Sequence, residues 1–219
     1  MKFLIFFFIL TSISFCQSEL LDSTSAIGFG VGYTYANNDK SSTNGFDLVV
    51  SVLSTIDIGI QSSTGKTEVD YYDDDLKTSS TSVYLAYNFK RKNNAINLKV
   101  LLGYYTADIV KSSISSSGVI AGLGFYPRFL DDKNIVLRGA LELQYGFLST
   151  QDNNSYYRYD NSEFDNSRSI SAGLIINIIP STNFHMVFEP FVSKDLLHSD
   201  NPVYVGINVR LLFSFEKND

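Results

Sequence analysis

Residues 203–215 read VYVGINVRLLFSF, and no other stretch constrains the fold so tightly. Val203, Val205, Ile207, Val209, Leu211, Phe213 and Phe215 share one parity, while Tyr204, Gly206, Asn208, Arg210, Leu212 and Ser214 share the other. A period of two is the mark of a strand with one apolar and one mixed face. On a helix the two sets would scatter around the circumference, and Arg210 would lie among the valines.

The same alternation recurs upstream in nine segments, at 27–35, 46–52, 56–62, 79–89, 96–105, 118–125, 135–147, 169–178 and 184–192. The total is ten strands, with eight or twelve as the bounds. Pro190 cannot donate to a ladder, so it is expected at a bulge or strand end. The connections alternate in length. Links at 53–55, 90–95, 130–134 and 179–183 are short, and those at 36–45, 63–78, 106–117, 148–168 and 193–201 are long.

The chain opens on Lys2, an apolar run from Phe3 to Leu10, and small residues up to Ser18. The run is too short to span a bilayer, so residues 1–18 read as a signal peptide. Ile13-Ser14-Phe15-Cys16 forms a rival lipobox, against which the bulky Phe15 counts; cleavage and lipidation at Cys16 both stay open. Residues 19–215 then form one all-β domain and 216–219 a short polar tail. Cys16 is the one cysteine, so no disulfide staples the fold.

The chain carries 23 acidic and 17 basic residues for a net charge of -6, which argues against a nucleic-acid partner. Hydrophobic residues make up 44% and charged residues only 18%, below the ~25% usual in soluble domains. The mature part contains no run approaching the ~18 apolar residues of a membrane helix.

Alternation leaves open whether the apolar face points inward, as in a soluble barrel or sandwich, or outward to lipid. Two features choose the outward direction. The polar faces hold mostly Gly, Ser, Thr, Asn and Ala, while charge gathers in the long loops. Aromatics sort by height on the apolar face: Tyr33, Tyr35, Tyr104, Tyr145 and Phe147 toward the long loops, and Tyr87, Phe89, Phe125, Phe184, Phe213 and Phe215 toward the short turns. Two interfacial girdles give this distribution.

Leu211, Phe213 and Phe215 at the end of the last strand resemble the C-terminal signal by which outer-membrane proteins are recognised for insertion; the tail 216–219 departs from it. Over nearly all of its mature length the chain resembles the small bacterial outer-membrane β-barrel proteins. The resemblance implies a closed antiparallel up-and-down transmembrane β-barrel, exported to the outer membrane. Its implied partners are outer-membrane lipid and the barrel assembly machinery, the latter met through the C-terminal strand. The fold does not fix a function.

An internal polar face would carry Asp47, Asp57, Lys99, Arg138, Glu142, Glu189 and Arg210, with His185 nearby. Four acids against three bases suits a paired network that plugs the lumen better than a single-sign pore. A narrow channel for ions or small solutes is the alternative. Tyr71, Tyr72, Tyr156, Tyr157, Arg158 and Tyr159 lie in long loops, where tyrosine with Asn, Ser and Arg makes adaptable recognition surfaces for an extracellular ligand. Packing over the barrel rim is the competing reading for these rings.

A rim-site protease or lipid hydrolase using His198 or His185 with loop carboxylates is the weakest candidate, because no Asp-x-His pair is present. The acidic run Asp73 to Asp75 lacks the ligand spacing of a calcium loop. No metal or cofactor is expected. The expected role is a non-enzymatic surface protein, structural or binding, acting through its long loops.

Overall fold

A computed structural model describes residues 25–68, 76–89, 96–110, 114–152, 163–196 and 203–216. Ten strands follow one another along the chain: β1 (Ser25–Asn37), β2 (Ser41–Val52), β3 (Ile56–Thr67), β4 (Leu76–Phe89), β5 (Ile96–Ile109), β6 (Ile114–Asp131), β7 (Ile135–Asp152), β8 (Glu163–Ser181), β9 (Phe184–Asp195) and β10 (Tyr204–Glu216). Each pairs antiparallel with its neighbours in sequence, and β10 pairs with β1, so the sheet closes. Closure satisfies the backbone donors and acceptors that an open edge would expose.

The registers fix the size of the barrel. From Phe215 the partners run Ile27, Val52, Ile56, Tyr87, Val100, Leu123, Leu143, Ile170 and Lys194. Lys194 lies one residue past the Ser193–Tyr204 pair, so the path returns to β10 at residue 203, twelve positions from its start. With a rise of ~3.3 Å per residue and a strand spacing of ~4.8 Å, that stagger tilts the strands by about 40° and makes the barrel about 20 Å wide between backbones.

Exposure follows the parity of the sequence around the whole circumference. Every strand sends large apolar side chains outward, including Phe29, Leu48, Ile58, Leu85, Leu102, Leu123, Leu143, Leu174, Val192 and Ile207. The buried positions alternate with these and are rich in Ser, Thr, Asn, Gln and charged residues. A water-soluble barrel has the opposite arrangement. On β10 the outward residues from Val205 to Phe215 cover about 25 Å of height, the thickness of the apolar band of outer-membrane barrels.

Cross-strand aromatic contacts lie near both edges of this band. Tyr33 meets Phe46 at 5.1 Å on the long-loop side, and Phe184 meets Phe213 at 5.1 Å on the short-turn side.

The outer connections are shorter than the sequence pattern suggests. β1 and β2 extend to Asn37 and Ser41, reducing the expected long link 36–45 to residues 38–40. Asn38 Oδ1 accepts hydrogen bonds from the backbone N–H groups of Lys40 and Ser41, each at 2.8 Å, and this Asx turn closes the hairpin. Likewise β5 reaches Ile109 and β6 starts at Ile114, within the expected link 106–117. Above the apolar band the outward residues turn polar, as at Thr64, Lys66, Thr106 and Asp108, so the ladder continues while the apolar-out contrast disappears. Ser–Thr pairs mark this zone, as in Ser41···Thr67 at 3.1 Å and Ser116···Thr150 at 3.0 Å.

Pro190 also departs from expectation. It stands inside β9, opposite Ile207 of β10 and facing outward, rather than at a bulge or strand end. The pairing of β9 with β8 skips from Gly173–Phe191 to Ile176–Phe188 there, because proline has no N–H to give.

Candidate functional site

The sequence places Asp47, Asp57, Lys99, Arg138, Glu142, His185, Glu189 and Arg210 on one parity, and all eight point inward and are buried. Arg210 is 2% exposed and Lys99 1%, values that rule out bulk water around them. Burying such charges is costly unless each is paired and hydrogen-bonded.

Arg210 on β10 and Asp47 on β2 are separated by β1, where Gly32 is the register partner of both. A Cβ at Gly32 would overlap Asp47 Oδ1. With glycine there, Arg210 Nε comes within 3.4 Å of Asp47 Oδ2, while Nη1 lies 3.9 Å from Glu189 Oε2. Asn208 Nδ2 donates to the same Glu189 oxygen at 3.0 Å. One guanidinium therefore joins carboxylates from strands on either side of it.

The opposite wall repeats this arrangement. Lys99 on β5 and Glu142 on β7 are both register partners of Gly124 on β6. A Cβ at Gly124 would meet the ring of Tyr126. Tyr126 fills that space, donates from its hydroxyl to Glu142 Oε1 at 2.7 Å and presents its ring 5.9 Å from Lys99 Nζ. Ser171 Oγ donates to the other Glu142 oxygen at 3.3 Å.

Nearer the short turns, Asp57 accepts from Ser51 Oγ at 2.5 Å and Asn88 Nδ2 at 3.4 Å. His185 Nδ1 lies 3.1 Å from Asn177 Nδ2.

Apolar residues share the lumen with these groups. Leu101, Ile120, Leu148, Ile175, Val187 and Leu212 belong to one buried cluster with Tyr84, Tyr105 and Tyr126. Large rings lie over glycines: Tyr84 covers Gly59 and Phe191 covers Gly206. Charge alone thus pointed to only part of the lumen filling. The neutral partners Ser51, Asn88, Tyr126, Ser171, Asn177 and Asn208 share the parity of the charged residues, and that parity is the signal that finds them. Asp195, a further buried carboxylate, follows the same rule.

Tyr71, Tyr72, Tyr156, Tyr157, Arg158 and Tyr159 lie outside the described residues, as do His198 and the acidic run Asp73 to Asp75. His185 is the second residue of β9, just after the 182–183 turn, at the short-turn end of the lumen. That position removes it from the outer rim, where the hydrolase reading needed it. At the outer edge of the band, Arg168 stacks 5.2 Å from the ring centre of Tyr145. Among the described residues no cluster of His, Cys, Asp and Glu could hold a metal ion.

No family model matches the chain, and no curated protein matches it in sequence. In structure it is similar to the translocator domain of the autotransporter NalP from Neisseria meningitidis, with a TM-score of 0.54 at 14% identity. The superposition covers 90% of this chain and 91% of that domain. It is also similar to the β domain of the Bordetella autotransporter BrkA, with a TM-score of 0.52 at 11% identity over 87% of this chain and 100% of that one.

Identities this low speak for the fold alone. Together with the outward apolar band, they define the class: the chain has the fold of a bacterial outer-membrane β-barrel. Its own version is a closed ten-stranded barrel with charged and aromatic side chains packed in the lumen.

Proposed function

We propose that the protein is a non-enzymatic barrel of the bacterial outer membrane, exported by a signal peptide. It acts at the cell surface as a structural or binding protein through its outer loops, with the lumen closed by the internal charge network. The observation that carries this reading is the burial of all eight lumen charges. A hydrated pore leaves its lining wet, whereas here the guanidinium, ammonium and carboxylate groups meet one another and their neutral neighbours. The apolar band supports lipid as the surrounding medium, and β10, which closes the barrel on β1, is the strand the assembly machinery would engage.

With the lumen filled, contact with the outside falls to the loops. Segments 69–75 and 153–162 hold Tyr71, Tyr72, Tyr156, Tyr157, Arg158 and Tyr159, a composition suited to adaptable recognition of an extracellular ligand. An epitope inserted within 153–162 should be stained by antibody on intact cells, with the protein in the outer-membrane fraction and heat-modifiable on gels. Staining only after permeabilisation, or recovery as a soluble protein, would overturn the proposal.

A further inference from the structure

Two cations stand on the outward surface at the height of the outer aromatic girdle. Arg168 on β8 is the register partner of Tyr145 on β7, and its Cζ lies 5.2 Å from the centre of that ring. Phe147 packs edge-on against the same ring at 4.6 Å. On β9, Lys194 pairs with Ile170, while the Leu196 N–H donates to the Arg168 carbonyl. Lys194 is therefore the diagonal neighbour of Arg168 on the outward face. Diagonal neighbours lie about 7–8 Å apart, within the combined reach of two long side chains.

The surroundings are one-sided in charge. Along the outward positions of β7 to β10, Arg168 and Lys194 are the two charged residues among those described. Asp195 follows Lys194 in sequence, but it points into the lumen and is buried. In a chain of net charge -6, a surface with two cations and no acid runs against the composition.

A cation at the membrane interface costs little by itself. Two cations side by side repel each other, and an anion between them replaces that repulsion with two attractions. A guanidinium laid over a ring keeps its in-plane N–H donors for another group, and their fork fits a phosphate. At headgroup height the phosphate within reach belongs to a lipid, and clusters of Lys and Arg at membrane surfaces select anionic lipids. Just below the pair, Ile170 and Val192 continue the outward face as an apolar surface for an acyl chain.

We propose that Arg168 and Lys194 bind the phosphate of an anionic lipid of the outer leaflet. Tyr145 holds the guanidinium in place, and Ile170 and Val192 lie along the acyl chain. The inference rests on the outer-membrane placement proposed above, in which the long-loop edge faces the cell exterior.

Native mass spectrometry of the full chain, released from phosphatidylcholine nanodiscs doped with bisphosphorylated lipid A, tests it. The unaltered protein should retain lipid A and should not retain the dephosphorylated form. Arg168→Gln should weaken retention about tenfold, the effect of losing one charge-assisted contact. Adding Lys194→Gln should weaken it further, whereas Arg128→Gln, which removes a cation at the short-turn edge, should leave it unchanged. Equal retention of the two lipid forms, or undiminished retention in the Arg168→Gln, Lys194→Gln variant, would overturn the proposal. So would displacement of the lipid by inorganic phosphate, which marks a site for a soluble anion, or protein dimers in place of the lipid adduct. Heat-modifiable migration of each preparation reports insertion separately. Inserted protein that retains no lipid A would sink this inference alone, and protein that fails to insert would sink the proposed function.

Discussion

At Gly32 a missing side chain lets two charges meet across an intervening strand. Gly32→Ala would press on Asp47 and the Arg210 stem, and we expect it to cost about 1–3 kcal/mol. The urea midpoint for loss of heat-modifiable migration measures this. Arg210→Ala removes the cation and leaves Asp47 and Glu189 buried beside each other, which should cost about 3–5 kcal/mol. Adding Asp47→Ala and Glu189→Gln to it should recover part of the loss; no recovery would show that the three residues are energetically separate. These residues were legible individually, because the parity of Arg210, Asp47 and Glu189 places them inside. Their meeting was not. It depends on which residues pair across strands, and alternation leaves register unspecified by any step of two.

The turns and strand ends show a second limit. Between β2 and β3, Leu53 and Ser54 both adopt positive φ, at 52° and 50°, and Thr55 N–H donates to Val52 C=O at 3.0 Å. This is the mirror-image turn that matches the twist of a hairpin, and it favours Asn or Gly at both positions. Leu53→Asn should therefore stabilise the barrel by about 0.5–1 kcal/mol, read as a raised urea midpoint; a lowered midpoint would mean that the exposed Leu53 side chain matters more than its backbone.

The sequence pattern placed this turn correctly while offering none of its usual residues, since two strong strands on either side decide the geometry. Outer strand ends escape the sequence pattern for the opposite reason. Ser63, Ser80 and Thr64 continue the ladder, Ser63 and Ser80 bonding each other at 2.6 Å, in a zone where neither face is apolar.

Over the whole molecule the apolar surface faces outward on all ten strands, and composition and aromatic placement make this much legible in the sequence. A charge at mid-height on that surface should be costly. Ile58→Arg, at a position 51% exposed, is expected to lose about 2–4 kcal/mol in a bilayer. A soluble barrel with the same exposure would tolerate it, and an unchanged midpoint would contradict the membrane placement.

The central claim joins that placement to a filled lumen, and planar-bilayer recording tests both most directly. Purified protein, verified as inserted by its heat-modifiable migration, should give a flat baseline without unitary steps, while Arg210→Ala should introduce them. Steady single-channel steps from the unaltered protein would contradict the account.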